Sequence, residues 1–71
     1  MSVELGNRVL FVRGGKPLEG RVFAVREGAC SVEGPGSRAY YLEHWEVLLI
    51  LGLDHEYARW LMEPLQGDVR A

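Results

Sequence analysis

Turn-forming residues divide the first fifty residues of this chain into segments too short for typical helices. Glycines supply a positive φ and prolines a fixed φ, and such residues lie at positions 6–7, 14–17, 27–28 and 34–37. The segments between them are rich in β-branched and aromatic residues, which favour strands. Short strands at a spacing of about ten residues indicate a small barrel or sandwich.

Two connections between these strands carry a specific turn prediction. Glu27 and Gly28 form a two-residue connection with glycine in second place, between strands at 21–26 and 29–33, which is typical of a tight hairpin. Residues 14–19 are longer and polar. We expect them to form a projecting loop after the first strand, and exposed loops on a rigid scaffold often carry binding residues.

Residues 39–51 are compatible with two structures. Tyr41, Trp45 and Leu48 repeat at helical spacing and a glycine follows the segment, which would suit a helix. The tyrosine pair and the apolar run instead suit buried strands, and the preceding Gly-Pro-Gly suits a hairpin. We favour a strand, a short turn around Glu43 to Trp45 and a closing strand at 46–51, while the helix remains an alternative.

The C-terminal part of the chain carries a helix signal. Asp54 is a good N-cap residue. Tyr57, Trp60, Leu61 and Leu65 lie at helical spacing, and Pro64 stops the helix near Glu63. We therefore expect a helix at about 54–63. Its apolar stripe needs a surface to cover, and the open end of a β-barrel would provide one.

Length and composition restrict how such a chain can be stabilised. With 71 residues, 48% of them hydrophobic, it can build one core and one domain over 1–71. Cys30 is the only cysteine, so an intramolecular disulfide is impossible, and we expect it to be buried. Cys30, His44 and His55 are too scattered for a metal site. The surplus of apolar residues predicts a protein partner or self-association.

Neither a membrane span nor an export signal is predicted. The longest apolar run, residues 47–51, is five residues long, against the roughly eighteen that a spanning helix requires. With one cysteine and no signal peptide recognised at the N-terminus, we expect a soluble cytoplasmic protein. Residues 1–42 hold six basic and four acidic side chains, whereas 43–71 hold two and six, which hints at two faces of opposite charge.

A family resemblance supports the β interpretation. The chain shows a strand, a glycine-bearing loop and a Gly-x-Val that would open the second strand, in Gly6-Asn7-Arg8-Val9, residues 11–15 and residues 18–25 with Gly20-Arg21-Val22. This pattern resembles the KOW and Tudor-like branch of SH3-like barrels. Residues 40–47 resemble the penultimate strand, turn and closing strand of such barrels. Over residues 6–51 the resemblance implies a mainly β fold, namely a small five-stranded SH3-like barrel. The C-terminal helix predicted above would follow this barrel. Its members bind RNA, ribosomes, RNA polymerase or peptides.

Two surfaces are candidates for binding. Aromatic and sulfur-containing side chains could form a protein-binding surface on the Tyr40–Trp45 segment and the helix, although only one of two adjacent tyrosines in a strand can face inward. Arginine-rich strand ends could instead contact phosphate groups. The first set is Tyr40, Tyr41, Trp45, Trp60 and Met62, and the second is Arg13, Lys16, Arg21, Arg26 and Arg38.

The sequence offers little for catalysis. His44 and His55 with neighbouring carboxylates are its only acid–base groups, and the chain has no Ser-His-Asp arrangement and no glycine-rich phosphate loop of the required spacing. We predict a non-enzymatic binding module without cofactor, metal or small-molecule substrate. A protein partner or a homodimer is the leading hypothesis. Nucleic-acid or ribosome-associated binding is the alternative, although the isoelectric point of ≈ 5.6 is low for such a protein.

Overall fold

The structure, a computed structural model, describes residues 2–63 as one antiparallel sheet followed by a helix. Two short 3-10 turns, Pro35–Ser37 and His44–Glu46, connect the third to the fourth strand and the fourth to the fifth. The strands follow the order β4-β3-β2-β1-β5 across the sheet. The predicted mainly β fold with one C-terminal helix is confirmed. The elements are β1 (Asn7–Arg13), β2 (Lys16–Arg26), β3 (Ala29–Glu33), β4 (Ala39–Glu43), β5 (Leu49–Leu53) and α1 (His55–Met62).

Strand pairing leaves the sheet open. Within residues 2–63, β4 pairs only with β3 and β5 only with β1, so the sheet has two edges and pairing does not establish the predicted barrel. The sheet is nevertheless strongly curled. The ring centroids of Phe11 on β1 and Tyr40 on β4 lie 5.2 Å apart, although three strand spacings would separate these strands by about 14 Å in a flat sheet.

The core fills the inside of this curl. Side chains alternate between the two faces of a strand, so Val9 and Phe11 point inward from β1 while Leu10 and Val12 point outward. Cys30 is fully buried as predicted, and burial, with a smaller contribution from the charge of Glu46, raises the pKa of its thiol. The fully buried side chains are Val9, Phe11, Val22, Cys30, Val32 and Leu42.

The predicted loop at 14–19 is wrong. Lys16 already pairs with Arg13, so only Gly14 and Gly15 form the connection, with φ of 63° and 77°. Two adjacent glycines can both adopt the positive φ that a two-residue hairpin turn requires. As a result β2 begins at Lys16, and the strand predicted at 21–26 is only its second half. The two-residue hairpin predicted at Glu27 and Gly28 is confirmed.

Residues 39–51 contain β4 and the first part of β5, separated by a short turn, so the helical alternative is wrong. The closing strand begins later than the predicted 46–51, because a 3-10 turn takes up His44–Glu46 before β5 starts at Leu49. The Glu46 carboxylate closes this turn by accepting a hydrogen bond from the Glu43 amide at 2.8 Å. Side chains at the start of this segment alternate as expected: Tyr40 is half-buried and Tyr41 is exposed.

The helix begins where the sequence predicts. The Asp54 carboxylate accepts a hydrogen bond from the Tyr57 amide at 3.0 Å, which confirms its N-cap role, and the helix ends at Met62. The predicted contributions of Pro64 and Leu65 lie outside the described residues. None of the helices in residues 2–63 combines the length and apolarity needed to cross a membrane.

We predict that Phe11→Ala lowers the free energy of unfolding by about 3–5 kcal/mol, because it removes a fully buried ring and leaves a cavity. The matched control is Val12→Ala, one residue along the same strand but facing outward, which should cost less than about 1 kcal/mol. Urea unfolding followed by circular dichroism measures both. Equal losses in the two variants would contradict the proposed core.

Candidate functional site

The helix α1 is attached to the sheet without contributing to the core. None of its residues is buried. It is held chiefly at its N-terminal end, where Ala58 lies against Gly6, so close that a Cβ atom on this glycine would come within 2.6 Å of the Ala58 side chain. Position 6 therefore requires glycine for two reasons: its φ of +87° disfavours other residues, and a side chain there would collide with Ala58.

Backbone hydrogen bonds and one ion pair fix the start of the helix. The Asp54 amide donates to the Gly6 carbonyl at 2.8 Å, and the Gly6 amide donates to the Val22 carbonyl at 2.8 Å. Arg21 approaches the Asp54 carboxylate at 3.5 Å. The hydrogen bond from the Tyr57 amide, followed by that ion pair, holds the pKa of Asp54 below its ordinary value.

Tyr57 connects the helix with the sheet. Its hydroxyl donates a hydrogen bond to the Glu33 carboxylate at 3.0 Å, and the Arg21 guanidinium lies 4.3 Å from its ring centroid. The same ring stacks with Trp60, with centroids 6.0 Å apart and planes at 27°. Burial first, and then the hydrogen bond to Glu33, raises the pKa of Tyr57 to about 12.

An apolar cleft lies between α1 and the outer face of β2, β3 and β4. Its volume is ≈ 360 Å³, within the range of small-ligand sites. Trp60 forms one wall, and its side chain is held by stacking on Tyr57 although the residue is 69% exposed. The lining residues are Phe23, Glu33, Ser37, Ala39, Tyr57, Trp60 and Leu61.

A strand irregularity positions Phe23 in this cleft. Val22 pairs with Val32 and Ala24 with Ser31, so Phe23 is an extra residue on β2, and it is exposed. Extra residues of this kind bend a strand and redirect side chains. Phe23 was not among the predicted site residues, because it lies in a continuous apolar segment without the alternation that separates inner from outer positions.

Only part of the predicted protein-binding set comes together. Trp60 lines the cleft, and Tyr41 is exposed on the outer face of β4. Met62 is exposed on α1 but is not a lining residue, and Trp45 lies on the His44–Glu46 turn, also outside the lining. Tyr40 instead packs against the core through Phe11.

Arg13 brings the two distant strands β1 and β4 together. Its guanidinium lies 5.6 Å from the Tyr40 ring centroid, donates a hydrogen bond to the Tyr41 carbonyl at 3.4 Å and is 3.9 Å from the Glu46 carboxylate. This side chain is therefore engaged in holding the curl of the sheet.

The five predicted phosphate-binding residues do not form one patch. Lys16 pairs with Arg13 at one end of the β1–β2 hairpin, whereas Arg21 lies five residues further along β2, or roughly 16 Å at the rise of a strand. Arg21 is also within 4 Å of the Glu33 and Asp54 carboxylates. Arg26 lies 6.0 Å from the Tyr41 ring centroid, and Arg38 is exposed after the Pro35–Ser37 turn.

The two histidines are separate from the cleft. His55 is exposed in the first turn of α1. The Nε2 atom of His44 is buried without a hydrogen-bond partner among residues 2–63. Within the same residues, no group of three His, Cys, Asp or Glu side chains is arranged to hold a metal ion.

Comparisons of the chain with protein-family models, with curated proteins and with solved structures find no match in any of the three.

We predict that Tyr57→Phe lowers the free energy of unfolding by about 1 kcal/mol at neutral pH, because it removes the hydrogen bond to Glu33. The folded state raises the pKa of Tyr57 from 10.0 to about 12. The contribution of its neutral hydroxyl is therefore complete below about pH 10 and is lost as the pH rises towards 12. Urea unfolding of both proteins across this range measures the effect, and the difference between them should shrink with pH. A constant difference would contradict the raised pKa.

Proposed function

We propose that this chain is a small non-catalytic domain that binds another protein through the cleft between α1 and the outer face of the sheet. The observation that carries the proposal is the position of Trp60, which stands 69% exposed beside an apolar cavity while its ring is stacked on Tyr57. An exposed tryptophan with restricted freedom loses little conformational entropy on binding. Tryptophan and tyrosine are also the residues that most often dominate binding energy at interfaces.

The cleft suits an apolar side chain presented by a partner protein. Phe23, Ala39 and Leu61 provide apolar walls opposite the aromatic pair, and a cavity of this size accommodates one or two large side chains. Burial of apolar surface on both partners would supply the driving force. Tyr41 extends the same outer face along β4 and can contact the residues that flank the inserted side chain.

The charge beside the cleft favours a basic flank on the partner. Glu33 borders the cleft, and Asp54 and Glu56 border the adjoining groove, which Tyr57 and Trp60 also line. Among residues 2–63, Arg21 is the one basic residue lining either cavity. The surplus of carboxylates attracts lysine or arginine and repels acidic segments. We therefore propose a partner segment with an apolar or aromatic anchor next to a basic residue.

At the level of fold, we propose that the curled sheet is an SH3-like barrel. Support comes from the sequence pattern over residues 6–51, and from the contacts of Phe11 and Arg13 on β1 with Tyr40 on β4. The 3-10 turn at His44–Glu46 before the last strand is compatible with that architecture.

Nucleic-acid binding has less support than protein binding. It would require the predicted basic residues to act as one patch, and Arg21 is separated along the hairpin from Arg13 and Lys16, which pair with each other. Arg13 and Arg21 also lie near carboxylates, at 3.9 Å and 3.5 Å respectively, which reduces the charge available to phosphate groups. We therefore prefer the apolar cleft as the binding surface.

We predict that a random-peptide phage library panned against the immobilised full chain enriches peptides with an aromatic or large aliphatic residue beside lysine or arginine. Synthetic versions of these peptides should bind the wild type and lose at least about tenfold in affinity with Trp60→Ala, because the cleft wall is removed. Isothermal titration calorimetry measures the affinities.

The matched control for this experiment is Trp45→Ala. Trp45 is the other tryptophan of the chain and is still more exposed, at 79%, but it lies outside the cleft. Peptides that bind through the cleft should bind this variant as tightly as the wild type. No enriched peptides, or equal binding to the Trp60→Ala variant, would refute the proposed site. Enriched acidic peptides would refute the proposed basic flank alone.

A further inference from the structure

The strand β5 presents an apolar edge that is separate from the cleft. It pairs with β1 on one side, and residues 2–63 provide no strand on its other side. Residues 47–53 contain neither a charged side chain nor a proline. Leu48 and Leu49 are more than half exposed and Leu51 is 37% exposed.

Free edges of this kind are unusual in monomeric proteins. An edge strand carries unpaired amide and carbonyl groups, and natural sheets protect it with charges, prolines, bulges or a covering segment. Within residues 2–63, β5 itself carries one such device, a register shift that leaves Leu51 as an extra residue between Ile50 and Gly52. Beside the edge, Leu49 lies opposite Leu10, whose side chain is on the outer face of β1, so the apolar surface continues onto the sheet.

The other edge of the sheet, β4, is protected. Arg13 donates a hydrogen bond to the Tyr41 carbonyl at 3.4 Å, which engages a backbone acceptor of that strand, and Glu43 adds a charged, exposed side chain at its end. An added strand at β4 would have to displace the guanidinium and approach a carboxylate. Association of β5 with β4 of another copy, which would produce an open chain of molecules, is therefore disfavoured.

We propose that two copies of this chain pair through their β5 edges in antiparallel orientation to form a closed dimer. Antiparallel pairing of identical strands has two-fold symmetry, so one strand provides both surfaces. A symmetry axis at Ile50 places Leu49 of each copy opposite Leu51 of the other, and the paired residues 49–51 carry no charged side chain. Two five-stranded sheets then become one continuous sheet with leucines packed across the junction.

The dimer does not depend on the proposed cleft, because no β5 residue lines that cavity. It also differs from the self-association through the helix and aromatic segment that the sequence suggests. The two ideas can therefore fail separately. Loss of peptide binding in Trp60→Ala leaves the dimer intact, and dissociation of the dimer leaves the cleft in place.

Sedimentation equilibrium of the full chain, over a roughly hundredfold range of concentration, tests this proposal. The wild type is expected to sediment as a dimer, and Leu49→Lys as a monomer, because pairing would bury two lysines without partners. Val25→Lys is the matched control. Val25 is also an apolar, exposed strand residue, at 41% against 51% for Leu49, but it lies on β2 away from the edge, so this variant should remain dimeric.

Leu48→Lys, at an exposed position just before the strand, provides a second variant, and circular dichroism establishes that each variant is folded. In the wild type, isotope-filtered nuclear Overhauser contacts between Leu49 and Leu51 methyl groups of different copies should identify the interface. A monomeric wild type overturns the proposal. A dimer that persists in both Leu48→Lys and Leu49→Lys, when these variants are folded, overturns it too. A dimer lost in Trp60→Ala and retained in Leu49→Lys overturns it as well, since association would then occur through the helix.

Discussion

The contact between Phe11 and Tyr40 across the curled sheet is the interaction on which the rest of the structure depends. A chain this short buries a small fraction of its surface, and α1 contributes no buried residue. The sheet must therefore supply nearly the whole core from its own inner face, which is possible only because it bends until β1 and β4 meet. Arg13 reinforces that meeting from the polar side, through Tyr41 and Glu46.

Because the inner face of the sheet forms the core, its outer face is left largely uncovered. The helix contacts the sheet chiefly near its own N-terminus, where Ala58 lies against Gly6, Asp54 meets Arg21 and Tyr57 meets Glu33, and a cleft lies between the rest of the helix and this face. The same division explains the leucines of β5, since one face of that strand contributes Ile50 to the core and the edge has no covering strand among residues 2–63. The binding proposals both concern apolar surface that the fold itself does not use.

Sequence patterns predicted the features that depend on neighbouring residues. The hairpin at Gly28, the Asp54 cap and the opposite faces of Tyr40 and Tyr41 follow from local stereochemistry. The register shift in the pairing of β5 with β1 and the exposure of Phe23 were not predicted, because each depends on how neighbouring strands are aligned. Trp60 was a predicted site residue, whereas its neighbours in the cleft, Glu33 and Leu61, were not. Their proximity is set by the docking of α1, which periodicity alone does not reveal.

The two hydrogen bonds of Gly6 have a consequence for how this surface could change through evolution. They join Val22 and Asp54 through main-chain atoms alone. The start of the helix is therefore fixed independently of the side chains at its later, exposed positions. Substitutions at exposed helix positions are generally tolerated when such an anchor is retained. Related chains that keep a glycine here could exchange the residue at Trp60, and with it their ligand preference, while the orientation of the helix is inherited unchanged.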